Sequence, residues 1–256
     1  MVSEPGQQSF RGGGDADIAA VGALVADPTR ARILLALGDG RALPASRLAA
    51  EAGVSAVTTS GHLRKLADAG LLMVEAHGRH RYYRLAGPDV ERLIEALQRL
   101  APAAPVRSLR EGTRAQALRR ARTCYDHLAG QVGAALMAAM LQRGYVTGGD
   151  GTFRPETASR DNRIGHGHDI DYQLSPEGQA FVTEFGVQLL SRRPVVRYCV
   201  DWSEQRHHLA GGLGQGLLQR LLDLAWIRRS PAVRAVQITA AGHAGLTTTF
   251  GIPPVQ

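Results

Sequence analysis

The chain has 256 residues, 44% of them apolar, and a formal net charge of +7. This length suits one or two domains, and the apolar fraction excludes an intrinsically disordered chain. No stretch approaches the roughly 20 apolar residues of a membrane span, and the opening residues lack a signal-peptide pattern. We therefore expect no membrane partner. Because only two cysteines are present, we also expect a cytoplasmic protein with no disulfide framework.

The first hundred residues predict a flexible tail followed by a small helical domain. Residues 1–14 are polar and rich in glycine, which is typical of a tail. Helical periodicity begins at Ile18 and continues, through several short helices, to a last amphipathic segment around Val90–Leu97. A β-hairpin is predicted over 71–86, where the period changes and a glycine marks the turn.

The third and fourth predicted helices have the spacing of a helix-turn-helix. The third (44–52) ends at Gly53, and the fourth begins after Ser55 and ends at Gly70. We expect the fourth helix to bury Val57, Leu63 and Leu66. The opposite face then presents short polar and basic side chains that could reach DNA bases or phosphates: Ser55, Thr58, Thr59, Ser60, His62, Arg64 and Lys65.

The predicted hairpin has a basic tip. It carries His77, Arg79, His80 and Arg81, a set that could clamp backbone phosphates. Taken singly, a polar helix face is as well explained by helix caps, and a basic hairpin by a solvated surface. Their occurrence together, in this order and spacing, favours a winged helix-turn-helix that binds double-stranded DNA.

Three segments resemble the ArsR/SmtB family of bacterial repressors. They read ADPTRARILLA at 26–36, VSAVTTSGHLRKLADAGLL at 54–72 and GRHRYYRL at 78–85, and the resemblance covers residues 15–100. It implies a homodimer formed through the first and last helices of that domain. It also implies a pseudo-palindromic operator with one recognition helix in each half-site.

The chain departs from the family where many members bind metals. The start of the third helix reads ALPAS at 42–46 instead of carrying cysteines, and the last helix, DVERLIEAL at 89–97, has no histidine. Because thiolates and imidazoles are the ligands that such metals require, we predict no metal site and no cofactor in this domain. Any effector is therefore expected to bind the C-terminal region.

A proline-containing linker at 101–106 precedes a second region, 107–256. This region opens with a helical pattern over about 112–143. It also contains an internal repeat, about 120–187 and 195–252, in which CYDHLAG is echoed by CVDW and HLAGGLG. The predicted fold class is therefore mainly α with small β-hairpins: a winged helix-turn-helix domain plus a C-terminal α/β domain built from an internal repeat.

Candidate effector residues cluster around the repeated motif, and they are Cys124, Tyr125, His127, Cys199, Trp202, His207 and His208. Three interpretations stay open: core packing, a pocket for an organic ligand, and metal or thiol-redox sensing. On a helix, Cys124 and His127 could share one ion because they are three residues apart.

The sequence predicts a regulator and not an enzyme, because the P-loop, GxSxG, HExxH and dinucleotide motifs are all absent. We expect a homodimeric repressor that binds DNA and is released by an effector in the C-terminal domain. Two alternatives are an architectural DNA-binding protein whose C-terminal half only dimerises, and a regulator that responds to metal or redox state through Cys124 and Cys199.

Overall fold

The computed structural model describes residues 15–38, 40–77, 80–102, 109–154, 170–189, 194–230 and 234–255. The predicted tail at 1–14 lies outside the described residues, as do Arg79 and the linker positions 103–106.

Within the described residues up to 102, the helices are α1 (Ile18–Val25), α2 (Pro28–Ala36), α3 (Ala45–Ala52), α4 (Ala56–Asp68) and α5 (Pro88–Leu100). The strands are β1 (Leu43–Pro44), β2 (Leu72–His77) and β3 (His80–Leu85), which form one antiparallel sheet in the order β1-β3-β2. The winged helix-turn-helix is thus present at the predicted place. The two-residue strand β1 was not predicted because it is too short to show an alternating pattern.

Local sequence sets the turn between α3 and α4. Gly53 ends α3 in the left-handed conformation, with φ of 71°, which costs a glycine little. Ser55 then caps α4 by accepting a hydrogen bond from the Thr58 amide at 3.1 Å. Leu48, Leu63 and Leu66 are buried against α2 and the sheet, so the two helices are held by a common core.

After residue 108, the described helices are α6 (Leu109–Arg120), α7 (Gly130–Gln142), α8 (Pro176–Glu184), α9 (Gly211–Asp223) and α10 (Ala240–Phe250). Four hairpins accompany them: β4 (Arg122–Cys124) with β5 (His127–Ala129), β6 (Val146–Thr147) with β7 (Gln173–Leu174), β8 (Arg197–Val200) with β9 (His207–Ala210), and β10 (Ile227–Arg229) with β11 (Val236–Ile238). After α6, the order hairpin, helix, hairpin, helix occurs twice.

The predicted continuous helix over 112–143 is wrong, because the β4–β5 hairpin interrupts it. Ala121, Cys124 and Leu128 are buried at positions that have the spacing of a buried helix face, so the periodicity of the sequence wrongly predicted a helix. The backbone shows the break, since Tyr125 has a φ of 55° and Gly130 a φ of 79°. A Cβ on Gly130 would lie 2.5 Å from the Arg119 carbonyl oxygen, so the sharp entry into α7 requires glycine.

The two regions touch through loops and helix faces. The Tyr125 amide, at the tip of β4–β5, donates to the Gly38 carbonyl at 3.0 Å. Arg41 donates to the Ser230 carbonyl at 3.1 Å, and Arg114 pairs with Glu51 at 2.8 Å. None of the helices in the described ranges is long and apolar enough to cross a bilayer.

Candidate DNA interface and a buried Cys–His cluster

The outward face of α4 carries most of the polar side chains predicted to contact DNA. Its exposed residues from the predicted set are Ser55, Thr58, Ser60, Arg64 and Lys65. A groove of about 820 Å³ runs between this face and the wing and is lined by Ser60, Arg64 and Arg81, among others. Short hydroxyl side chains and arginines therefore surround a concave surface, which suits contacts to bases and phosphates.

The sequence assigned two residues of α4 to the wrong face of the helix. Thr59 is fully buried, and its hydroxyl donates to the Ser55 carbonyl at 2.8 Å, so it does not face DNA. Val57, predicted to be buried, is 85% exposed. The buried face of α4 consists of Thr59, Leu63 and Leu66. Thr59 takes the place in the core that the sequence predicted for Val57, because it is β-branched like valine and its hydroxyl is hydrogen-bonded to the backbone of its own helix.

His62, predicted to lie on the outward face of α4, is only partly exposed there. Its side chain is 18% exposed, and its Nδ1 lies 3.7 Å from Asp27 Oδ1. The same carboxylate caps α2 by accepting hydrogen bonds from the Thr29 and Arg30 amides, each at 2.9 Å. The hydrogen bond from the Arg30 amide is the main cause that lowers the pKa of Asp27, so the carboxylate stays ionised at the N-terminus of α2.

The wing is formed by β2 and β3, which pair from Leu72↔Leu85 to His77↔His80. Its predicted basic residue Arg79 lies outside the described residues, whereas Arg81 is described and exposed. Arg84 forms an ion pair with Glu75 on the neighbouring strand and is therefore engaged within the wing.

Four of the predicted effector residues meet in one buried cluster, the Cys–His cluster: Cys124, His127, Cys199 and His208. Their ligand atoms all lie within 4.8 Å of one another. In each copy of the repeated element order, the first hairpin contains a Cys and a His that are direct cross-strand partners. These pairs are Cys124↔His127 in β4–β5 and Cys199↔His208 in β8–β9. The prediction that Cys124 and His127 share a helix face is wrong, because they pair across a hairpin.

The other three predicted effector residues lie outside the cluster. His207 points to the opposite side of β9 from His208, and its Nδ1 lies 2.9 Å from the Tyr172 hydroxyl. Trp202 packs against the Arg122 guanidinium at 4.5 Å. Tyr125 is half-buried at the hairpin tip, where its ring lies close to Gly40.

Each cluster histidine has an aspartate beside its Nδ1. His127 Nδ1 lies 3.3 Å from Asp126 Oδ1, and His208 Nδ1 lies 3.5 Å from Asp201 Oδ2. The Nε2 atoms of both histidines are buried and have no hydrogen-bond partner among the described residues. Nδ1 of His208 also has no hydrogen-bond partner among the described residues, so three imidazole nitrogens of the cluster lie buried without the hydrogen bonds that such atoms usually make.

The electrostatics differ between the two histidines. Burial lowers the pKa of His208 to about 3, which keeps its imidazole neutral. Burial also acts to lower the pKa of His127, but the adjacent Cys124 sulfur and the Asp126 carboxylate outweigh it and raise the pKa to about 10.

The cluster also contacts the N-terminal domain. Cys124 Sγ donates a hydrogen bond to Glu95 Oε1, which belongs to α5. The hydrogen bond with Cys199, burial and the Glu95 carboxylate raise the pKa of Cys124 well above its ordinary value. The thiol is therefore protonated in this arrangement. The cluster thus connects the repeated hairpins to the last helix of the winged helix-turn-helix.

Comparisons with known proteins place the chain. A model described as a helix-turn-helix domain matches residues 25–75. The chain is also 42% identical over 230 residues to YdfF of Bacillus subtilis, named as an uncharacterized HTH-type transcriptional regulator. That match covers 88% of this chain and 93% of YdfF. The chain belongs to this family of ArsR-type helix-turn-helix regulators. It is a DNA-binding transcriptional regulator with a C-terminal extension.

Shorter relatives resemble the N-terminal part of the regulator. CmtR of Mycobacterium tuberculosis, an HTH-type transcriptional regulator, is 40% identical over 80 residues, which cover 31% of this chain and 67% of CmtR. A solved winged helix-turn-helix domain of Mycobacterium bovis Mb0332, described as homodimeric, is 29% identical. The match covers 34% of this chain and 87% of the Mb0332 domain, with a TM-score of 0.29.

Proposed function

We propose that the regulator is a homodimeric repressor that binds a pseudo-palindromic operator and is released by an effector bound in residues 107–256. The observation that carries the proposal is the outward face of α4, which combines exposed hydroxyl, apolar and basic side chains beside the wing. We propose no catalytic activity for the chain.

The shape of α4 suits the major groove. Its 13 residues span about 20 Å, and a groove about 12 Å wide admits a helix. Ser55 and Thr58, near the N-terminal end, offer short polar groups to base edges. Val57 offers an apolar contact of the kind that recognises a thymine methyl group. Arg64 and Lys65, further along the helix, suit phosphate contacts.

An unpartnered apolar groove supports a homodimer. The groove, about 410 Å³, is lined by residues of α1, α2 and α5, including Leu34, Ile94 and Leu97. Ile18 and Leu100 are also exposed, and α1 buries none of its eight residues. We propose that α1 and α5 of a second copy cover this surface, because an apolar face of this kind is typical of an isologous interface.

The domain boundaries follow the same proposal: 15–100 binds DNA and dimerises, 101–106 links, and 107–256 receives the effector. We further propose that 120–187 and 195–252 are copies of one unit. The repeated element order supports this, as do the matching Cys–His pairs in the two first hairpins. Gly130 and Gly211, at the starts of α7 and α9, both have positive φ, which is a further similarity.

The salt dependence of DNA affinity tests the assignment of phosphate contacts. The double variant Arg64→Ala/Lys65→Ala is expected to weaken binding to every duplex and to reduce the slope of log K against log salt by about 0.9 for each lost contact. The matched control, Arg119→Ala/Arg228→Ala, also removes two exposed positive charges, but from the C-terminal region. If both double variants have the same slope as the parent, α4 does not lie along the phosphate backbone.

Sedimentation of charge-introducing variants tests the dimer. Leu97→Glu places a charge in the proposed interface and is expected to yield monomers that bind operator poorly. Val195→Glu is the control, since Val195 and Leu97 are similarly exposed at 41% and 37%. A Leu97→Glu variant that remains dimeric contradicts the proposed interface.

A further inference from the structure

The Cys–His cluster has the composition and arrangement of a metal site. We propose that Cys124, His127, Cys199 and His208 bind one tetrahedral Zn²⁺ ion that joins the two repeated units. This inference goes beyond the proposed DNA-binding function and concerns a different part of the chain.

The donor set fits zinc. Two thiolates and two imidazoles form a common tetrahedral zinc coordination set, with Zn–S bonds of about 2.3 Å and Zn–N bonds of about 2.0–2.1 Å, so the donors lie roughly 3.3–3.8 Å apart. The four donor atoms here already lie within 4.8 Å of one another. Small side-chain rotations therefore suffice to close the site, whereas an organic molecule has no room between the four donors.

The surroundings of both histidines fit metal ligation. A ligating histidine commonly directs one ring nitrogen to the metal and the other to a carboxylate. Asp126 lies beside Nδ1 of His127, and Asp201 beside Nδ1 of His208. Each aspartate is two residues after a cluster cysteine, so each Cys-x-Asp segment supplies both a ligand and a carboxylate near a histidine; Asp126 is hydrogen-bonded to His127, and Asp201 lies 3.5 Å from His208 Nδ1.

The unpaired Nε2 atoms distinguish a metal ion from a disulfide. A bond between Cys124 and Cys199 would involve both sulfurs but would leave the two buried Nε2 atoms without partners. A cation satisfies all four donors at once. Its binding releases three protons to solvent, one from each thiol and one from the His127 imidazolium, as two Zn–S and two Zn–N bonds form with no change of oxidation state.

Glycines on the two helices let the histidines approach. A Cβ on Gly214 of α9 would lie 3.1 Å from Cβ of His127, and one on Gly133 of α7 would lie 3.7 Å from Cβ of His208. Each unit therefore receives the histidine of the other against a glycine of its helix. This reciprocal packing brings β5 next to β9 and the two Cys–His pairs together.

The site has a direct connection to the winged helix-turn-helix. When Cys124 gives up its proton as its Zn–S bond forms, it can no longer donate to Glu95, so this hydrogen bond between the cluster and α5 is lost. Glu95 lies on α5, and Tyr125, next to Cys124, donates its amide to Gly38 after α2. If the proposed dimer forms through α5, metal loading alters that interface; this step alone rests on the proposed function.

The test is a Co²⁺ titration of the full chain, purified free of metal under reducing conditions. We expect one Co²⁺ per chain, with the intense d–d and thiolate charge-transfer bands of tetrahedral coordination, and displacement by Zn²⁺. Cys124→Ser and Cys199→Ser are each expected to lose these bands. The control His243→Gln, which alters a histidine outside the cluster, is expected to keep them.

A ligand-exchange variant separates coordination from a packing role. His208→Cys is expected to keep tetrahedral Co²⁺ binding with stronger thiolate charge transfer, whereas His208→Ala is expected to lose it. Circular dichroism confirms that each variant is folded. Absence of the bands in the parent, equal bands in both serine variants, or a Cys124–Cys199 disulfide under these conditions overturns the proposal. Because no DNA is present, none of these results depends on operator binding.

Discussion

The buried ion pair between Arg122 and Asp201 offers a sharp test of how the two repeated units are joined. Asp201 accepts hydrogen bonds from Arg122 Nη2 at 2.8 Å and from the Gly130 amide at 2.6 Å, both belonging to the first unit. It also accepts from the amide and hydroxyl of Ser203. Asp201→Asn would leave the Arg122 charge buried and turn an amide donor toward the Gly130 N–H.

The expected loss is large because both side chains are almost fully buried. Removing one partner of a buried pair costs about 3–5 kcal/mol, against a total stability of about 5–15 kcal/mol for a typical domain. With a urea slope near 2 kcal/mol per molar, the unfolding midpoint should fall by about 2 M.

Tryptophan fluorescence during urea unfolding measures this loss selectively. Both tryptophans, Trp202 and Trp226, lie in the C-terminal region, and Trp202 packs on Arg122 itself. Experiments in the presence of a chelator keep metal binding out of the comparison. Asp223→Asn is the control, because this exposed carboxylate accepts a hydrogen bond from Gln219, one turn away on the same helix.

A double variant checks the physical reasoning. Arg122→Met/Asp201→Leu removes both charges, so it is expected to be more stable than Asp201→Asn despite the larger change. An Asp201→Asn variant within about 1 kcal/mol of the parent would refute the idea that this pair joins the units.

Two further changes have defined outcomes. Asp27→Ala removes the cap of α2 and should cost about 1 kcal/mol, measured by hydrogen exchange of the α2 amides, with Asp15→Ala as control. Because the pKa of Asp27 is lowered, its contribution to the stability of α2 is present above its ordinary pKa and is lost as the pH falls through the lowered value. If the protection of the α2 amides against exchange stays the same in acid, this reasoning is contradicted. Gly214→Ala would place a Cβ 2.5 Å from the Leu209 carbonyl oxygen and should cost about 1–3 kcal/mol in urea unfolding, whereas Gly61→Ala, with nothing within 4 Å, should be neutral or stabilising. Equal stability of the two alanine variants would contradict the close packing of α9 on its hairpin.

The N-terminal architecture was predictable because its signals are local. The helix-turn-helix depends on a glycine stop at Gly53 and a serine cap at Ser55, and both act within a few residues. The side-chain facing of α4 was less predictable. Hydrophobicity favoured Val57 for the core, whereas tertiary packing buries Thr59, whose hydroxyl is satisfied by its own helix.

The C-terminal site was only partly predictable. The repeated cysteines and histidines identified the candidates, but the sequence placed Cys124 and His127 on one helix. The hairpin depends on a left-handed residue at Tyr125 and on contacts with Arg119 and Gly38, which periodicity does not contain. The paired spacing of Cys-x-Asp with His-Leu-Ala-Gly in both copies was the signal that could have indicated two equivalent hairpins.

The central claim is that the outward face of α4 reads DNA sequence. Its most direct test is the ratio of affinities for a duplex selected from random sequences and for a scrambled duplex, measured for the parent and for Val57→Ala/Ser60→Ala. Both side chains are exposed, so the double variant should fold normally. We predict that the ratio falls at least tenfold, since each lost base contact is worth about 1–3 kcal/mol, while affinity for the scrambled duplex stays the same. An unchanged ratio would show that this face of α4 does not contact the bases.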